Sequence, residues 1–306
     1  MQSWFLVALG APFVWSLVNH CDKIILSKYF KGGGSGGLMI FVGVVAIPIS
    51  IFLAVLYPEV FYVESSDVIY LLLSGLLYNF AVFLYLKALE KEDASYIVPF
   101  WQLAPVFSYI LGVAFLGEYL SSDKLFASVI VIIGALILSL EFKKGESISI
   151  NKTTASIMTL SALFIACTNV FFKKSAIDDL PFVVSMFWNQ IGMAIFALAF
   201  FADRKFRNEF TGVIRLNSNK VLGLNIFEQI AEVVGIAINN YAVLLAPVAL
   251  VVLVEYTAQP LFVFIEGVIF TLFFPHLVHE DISAKNLIQK FISIVVMSIG
   301  IYLLMR

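Results

Sequence analysis

Apolar residues in this chain do not alternate, and they do not form the narrow stripes of surface helices. They run in blocks of about twenty, broken by short polar clusters. Ten blocks can be delimited, at about 3–27, 36–57, 68–90, 94–117, 122–141, 153–176, 182–202, 220–245, 247–274 and 285–305. A hydrocarbon layer of roughly 30 Å is crossed by about 20 helical residues. Lipid offers backbone N–H and C=O groups no partner, so each block is expected to be a helix. The ten-residue alternation of a membrane barrel does not occur. The pattern therefore predicts an all-α membrane protein of about ten transmembrane helices.

Some of the polar breaks are very short. Lys91-Glu92-Asp93 separates the third and fourth blocks and Ala246-Pro247 the eighth and ninth, which makes those neighbours antiparallel. Gly32-Gly33-Gly34-Ser35-Gly36-Gly37 reads as a flexible loop; no Lys-Ser/Thr pair follows it to complete a phosphate cradle. The longest polar stretch, Asp203 to Lys220, reads as a loop between spans seven and eight. The first block has neither a basic leader nor a small-residue cleavage pattern, and is taken as a span rather than a signal peptide.

Composition agrees with the pattern. Of 306 residues, 61% are hydrophobic and 13% charged, whereas soluble domains carry about 25% charged residues. The net charge of −2 and the absence of a polybasic run give no basis for binding nucleic acid. Cys21 and Cys167 both lie inside apolar blocks, so neither a disulfide framework nor a thiolate metal site is expected. Nothing in the sequence calls for a cofactor.

The blocks fall into five followed by five. A shift of 150 residues brings Asn19 onto Asn169 and Lys23 onto Lys173; shifts of 154–155 bring Ala88 onto Ala242, Ala94 onto Ala249 and Pro105 onto Pro260. Because five is odd, the second copy must sit inverted in the membrane. Two inverted repeats, 1–145 and 150–306, are thus expected. Such repeats are a signature of transporters, in which rocking one half against the other gives alternating access.

The run Ala94-Ser95-Tyr96-Ile97-Val98-Pro99-Phe100-Trp101-Gln102-Leu103-Ala104-Pro105-Val106-Phe107, continuing to Phe115-Leu116-Gly117-Glu118, resembles the fourth helix of the ten-helix EamA-type members of the drug/metabolite transporter superfamily. Gly134-Ala135 and Gly300 also fit, and the resemblance extends over nearly the whole chain. The second copy departs from it, with Phe273-Phe274-Pro275 in place of Leu-Gly-Glu. The resemblance implies a transporter in a bacterial inner (plasma) membrane, usually drawn with both termini in the cytoplasm. The charges imply the reverse: 15 of the 19 Lys and Arg residues fall on the face opposite the termini, and the basic face is ordinarily cytoplasmic.

Four glutamates lie within the blocks: Glu228 and Glu232 in span eight, Glu255 and Glu266 in span nine. An ionisable residue at membrane depth costs roughly 2.5–3.5 kcal/mol on insertion scales, so all four are expected to face the bundle interior. Helical spacing puts Glu228, Glu232, Gly235 and Asn239 on one stripe, and Glu255, Gln259 and Glu266 on another. Trp15, Asn19 and Asp22 from span one, Tyr78, Asn79 and Tyr85 from span three, Trp101, Gln102 and Ser108 from span four, Asn169 from span six, and Trp188, Asn189 and Gln190 from span seven complete a candidate polar cavity. For the amides and aromatics, interhelical packing is the competing reading.

Lys23, Lys87 and Lys173 sit near span ends, where they can snorkel to the interface. That leaves the glutamates without an evident counter-ion. A cationic or zwitterionic metabolite is expected to bind there, aromatic rings assisting, with Glu232 and Glu228 coupling to protons or sodium. No nucleotide-binding motif is present, so an ion gradient, exchange or the solute's own gradient would drive transport. The expected assembly is a monomer or homodimer in the bilayer. Flipping of a lipid-linked polar headgroup stays open within the same fold. A membrane-embedded enzyme or a non-transporting membrane subunit are the readings of other classes. Against the enzyme, His276 and His279 lack further metal ligands nearby, and Asp178-Asp179 lacks a second acidic pair.

Overall fold

The computed structural model describes residues 3–28, 34–91, 97–139, 152–176, 180–216, 219–273 and 284–305. Its helices are α1 (Ser3–Lys28), α2 (Ser35–Leu56), α3 (Ser65–Leu89), α4 (Ala104–Leu116), α5 (Ser122–Ser139), α6 (Lys152–Ala176), α7 (Phe182–Ala202), α8 (Arg204–Leu216), α9 (Asn219–Leu245), α10 (Val248–Phe273) and α11 (Ala284–Leu304). No strand occurs among the described residues. Nine helical stretches among them are long and apolar enough to cross a membrane. The tenth expected span, 122–141, is α5, whose described 18 residues are about 27 Å long and fall just short of the roughly 30 Å layer. The protein is thus an integral, multi-pass, all-α membrane protein. Large apolar side chains such as Ile51, Phe52, Val55 and Phe291 are more than half exposed on its flank, where lipid rather than water would cover them.

Most of the close packing keeps its pattern when the first five spans are exchanged with the last five. The exception is α3 with α7, which pack closely while their counterparts, α9 with α2, do not; the other close helix pairs are α3 with α6, α1 with α9, α1 with α10, α4 with α6, α2 with α7, α4 with α10 and α5 with α11. Adding five to each span turns α3–α6 into α9–α1 and α4–α6 into α10–α1, and returns the last three pairs to themselves. Glycine sets how closely some of these pairs approach. A Cβ on Gly75 of α3 would collide with the Asn189 carbonyl, and one on Gly192 of α7 with the Leu72 carbonyl. Gly134 and Gly300 do the same between α5 and α11, each facing backbone atoms at about 3.0 Å. Small residues let helix backbones touch where no hydrophobic drive exists between apolar helices in lipid.

Two sequence expectations change. The polar stretch 203–220 is mostly helix, α8. Phe206, Phe210 and Val213 recur at helical spacing on one side; Phe210 packs on Phe41 at 4.7 Å, while Arg204, Lys205 and Arg207 lie on the rest. This is the pattern of a helix lying along a membrane surface. Its low mean hydropathy hid that periodicity. The glycine run is also not all loop: Gly36 and Gly37 open α2 and are buried beneath α8, whose Phe206 ring would collide with any Cβ at Gly36.

The fourth span is discontinuous rather than one helix. Val98–Leu103 form a 3-10 turn, and the α-helix starts only at Ala104. Pro99 and Pro105 each lack an N–H and place a ring against the preceding turn, which disfavours a straight α-helix through both. Pro260 in α10 has a related effect without a break. It cannot donate to the Tyr256 carbonyl four residues before it, and the freed carbonyl accepts Gln102 Nε2 from the 3-10 turn at 2.9 Å. The broken span is thereby tied to its partner in the other half at mid-membrane.

Candidate functional site

Span interiors meet at a cavity of about 110 Å³, enough for several waters or a small solute. Its walls come from α1 (Trp15, Val18, Asn19), α2 (Leu38, Met39, Val42), α3 (Tyr78, Asn79, Tyr85), the 3-10 turn (Trp101), α9 (Glu228, Gln229, Glu232) and α10 (Glu255, Tyr256, Gln259). Leu38, Met39 and Leu86 extend it toward the lysine-rich end of the bundle, where α2 begins and α3 ends. Among the described residues no Lys or Arg lines it.

Side-chain chemistry divides the walls. Tyr78 donates its hydroxyl proton to Glu232 Oε1. Gln229 Nε2 donates to Glu228 Oε2 at 2.8 Å. Glu255 is 3% exposed, and its Oε2 has no hydrogen-bond partner among the described residues. Opposite the carboxylates, Trp101 lies 4.4 Å from Tyr85 and 5.5 Å from Tyr256, ring centre to ring centre. Gly235, on the glutamate stripe, makes room for the Trp15 ring, since a Cβ there would meet the indole nitrogen at 2.6 Å.

Beyond Trp15, Tyr78 and Glu255 the cavity narrows to a chamber of about 10 Å³, walled further by Thr168, Asn169, Asn189, Ile236, Asn239 and Asn240. Asn239 Nδ2 donates to Asn169 Oδ1 at 2.7 Å, closing the bundle between α9 and α6. One turn further along α6, Lys173 Nζ pairs with Glu118 Oε1 at 2.5 Å and donates to the Ala246 carbonyl at 2.7 Å. Glu118 Oε2 accepts the Val248 N–H at 2.8 Å, capping the start of α10. At the lysine-poor end, an ion pair with a buried lysine and a partly buried glutamate therefore binds the α9–α10 corner to the end of α4.

Most of the candidate residues are brought together. Trp15, Asn19, Tyr78, Asn79, Trp101, Glu228, Glu232, Glu255 and Gln259 line the cavity, and Asn169, Asn189 and Asn239 line the chamber. Two lie elsewhere. Gln102 is held by the Tyr256 carbonyl that Pro260 leaves free, and Trp188 donates to the Val60 carbonyl at 2.8 Å in an apolar cluster beside α2. Gln190 and Ser108 are buried but line neither space. The side chain of Asp22, His276, His279 and Asp178-Asp179 fall outside the described residues.

Sequence reasoning missed Gln229, Tyr256 and Asn240, each next in sequence to a chosen residue; a helix face broad enough to wall a cavity takes in such neighbours. It also misplaced Lys173, which is 6% exposed and paired rather than snorkelling. Glu266 belongs to a separate buried cluster: Ser16 Oγ donates to its Oε1 at 2.7 Å, and His20 Nε2 stands 3.8 Å from its Oε2.

Residues 2–140 match the model of the EamA-like transporter family, part of the drug/metabolite transporter superfamily. This stretch, a little under half of the chain, is similar to that family. Members of that family are membrane transporters. One solved crystal structure, described only as a protein, aligns over 99% of this chain and 96% of its own length, with a TM-score of 0.63 and 15% identity. That likeness covers both halves of the chain and shows the fold alone. No curated protein matches the sequence.

Proposed function

We propose that the protein is a secondary transporter of a small organic cation or zwitterion, working by alternating access between two inverted five-helix halves, 1–145 and 150–306, in a bacterial inner membrane. The observation that carries this reading is the charge of the cavity: Glu228, Glu232 and Glu255 line it together, with no Lys or Arg among the described lining residues. Removing a carboxylate from water costs several kcal/mol unless a partner compensates. A bound cation supplies that partner, and the Tyr85, Trp101 and Tyr256 rings add cation–π attraction of about 0.5–2 kcal/mol.

Glu232 is the residue proposed to exchange a proton for the solute, with Glu228 one turn away assisting. Tyr78 holds one Glu232 oxygen, so a solute ammonium would compete with a proton for the carboxylate. A cavity extending toward the lysine-rich end, with the opposite end fastened by the Glu118–Lys173 pair, supports a reading as one of the two states that alternating access requires.

The test is a thermal-shift titration of the purified protein with primary and quaternary alkylamines, basic amino acids, and neutral sugars and carboxylates as controls. Amines at 100 times their Kd are expected to stabilise by about 2.7 kcal/mol, with the shift reduced in Glu232→Gln. Stabilisation by carboxylates or sugars but not by amines would overturn the cation reading.

A further inference from the structure

The chamber beyond the main cavity contains a chain of hydrogen bonds whose direction is fixed from one end. Asn169 Nδ2 donates to the Ile165 carbonyl at 3.0 Å. A carbonyl can only accept, so the other arm of that amide, Oδ1, must face Asn239. Asn239 therefore presents Nδ2 to it, and its own Oδ1 is left over. A second chain runs the same way. Ser74 Oγ gives its proton to the Thr168 carbonyl at 2.9 Å, so its oxygen must accept from Asn189 Nδ2, at 3.0 Å. Asn189 Oδ1 is left over in turn. Glu255 Oε2 is the third bare acceptor among residues of the same chamber.

Three oxygen acceptors without a donor, on side chains 1–6% exposed, are a costly arrangement. Turning either amide over would not help, because its N–H₂ would then face away from the group that needs it. The missing partner must therefore offer these oxygens positive charge or protons; the one bare donor on the chamber wall, Trp15 Nε1, is shared with the main cavity. Size limits it further: about 10 Å³ holds one water-sized body. Hard cations prefer such oxygen ligands, and a single carboxylate balances a single charge.

We propose that this chamber is a site for one small monovalent cation, sodium, held by Glu255, Asn239 and Asn189 oxygens. As a binding site it stands by itself. As the coupling ion it rests on the transport reading, and it gives Glu255 a role separate from Glu232. Glu255 lines both spaces, so an ion behind it would leave its other oxygen to the solute, and the two bind in support of each other.

The same monovalent chemistry could come from the solute's own ammonium head, and the experiment separates the sources. Melting of the purified protein is followed at constant ionic strength, exchanging choline chloride for NaCl, KCl or NH₄Cl, without amine. A saturable rise with NaCl is expected, absent with choline, and shifted at least tenfold to higher concentration in Glu255→Gln and Asn189→Ser. Should either variant fail to fold, the wild-type comparison decides: a melting temperature indifferent to the cation overturns the site. A response to ammonium and alkylammonium but not sodium also overturns it, assigning the chamber to the solute. Amine stabilisation in choline, lost in Glu232→Gln and without any sodium effect, overturns this inference and leaves the transport reading standing. A sodium effect without any amine response does the opposite.

Discussion

At the scale of the residue, cost separates function from packing. An asparagine between helices forms hydrogen bonds at little expense, whereas a glutamate in a span needs a reason. Three of the four span glutamates face one cavity, and the fourth, Glu266, is taken up by Ser16 and His20. Tyr78 holds Glu232 in place through its hydroxyl alone. Tyr78→Phe keeps the ring and removes that bond, and is expected to weaken amine binding about tenfold, equivalent to about 1.4 kcal/mol; a titration by calorimetry or melting shift would show it. Equal affinity in Tyr78→Phe would mean that Glu232 is positioned by the helix alone.

At the scale of the element, close approach and buried charge decide stability. Gly75 and Gly192 let α3 and α7 touch backbone to backbone. Gly75→Val should cost at least about 1–3 kcal/mol, since rigid carbonyls cannot give way. Gly212→Ala on α8, with open space around it, should be neutral or stabilising by up to about 1 kcal/mol. Melting temperatures of the two variants check both. The Glu118–Lys173 pair makes a sharper test. Lys173→Met leaves a buried carboxylate uncompensated and should destabilise by about 3–5 kcal/mol, whereas Lys173→Met with Glu118→Leu should recover most of that loss. If the double variant melts no higher than the single one, the pair is not the fastening that its geometry suggests. Phe273-Phe274-Pro275 supplies no second copy of Glu118, so any closure of the lysine-rich end must be fastened differently.

At the scale of the molecule, the two halves share a packing plan and differ in chemistry. The glutamates of the cavity come from α9 and α10, whereas the aromatic wall comes largely from α3 and the broken fourth span. A solute between them touches both halves, which is the condition for binding to bias one half against the other. In a Cys21→Ser, Cys167→Ser background, Met39→Cys on the cavity wall is expected to react with a membrane-impermeant thiol reagent from the lysine-rich face. Val248→Cys, buried beside Glu118, should react from neither face. Labelling of Met39→Cys only from the opposite face would reverse the direction in which the cavity opens.

The chain's own residues determined the spans and most of the cavity. Span length follows from bilayer thickness, and Glu228, Glu232 and Asn239 share a stripe by helical geometry alone. What sequence could not decide depends on which helix faces which. Gln102 and Trp188 looked like cavity residues because they sit at mid-span, yet each is taken by a carbonyl, of Tyr256 and of Val60, that only the fold brings near. Lys173 looked like a snorkelling end residue because Glu118, 55 positions earlier in the chain, could not be seen beside it. The bare oxygens of Asn189, Asn239 and Glu255 exist only because the fold has committed the other arms of both amides first. Periodicity assigns a face to a residue; partnership, and with it the difference between a packing amide and a ligand, belongs to the tertiary structure.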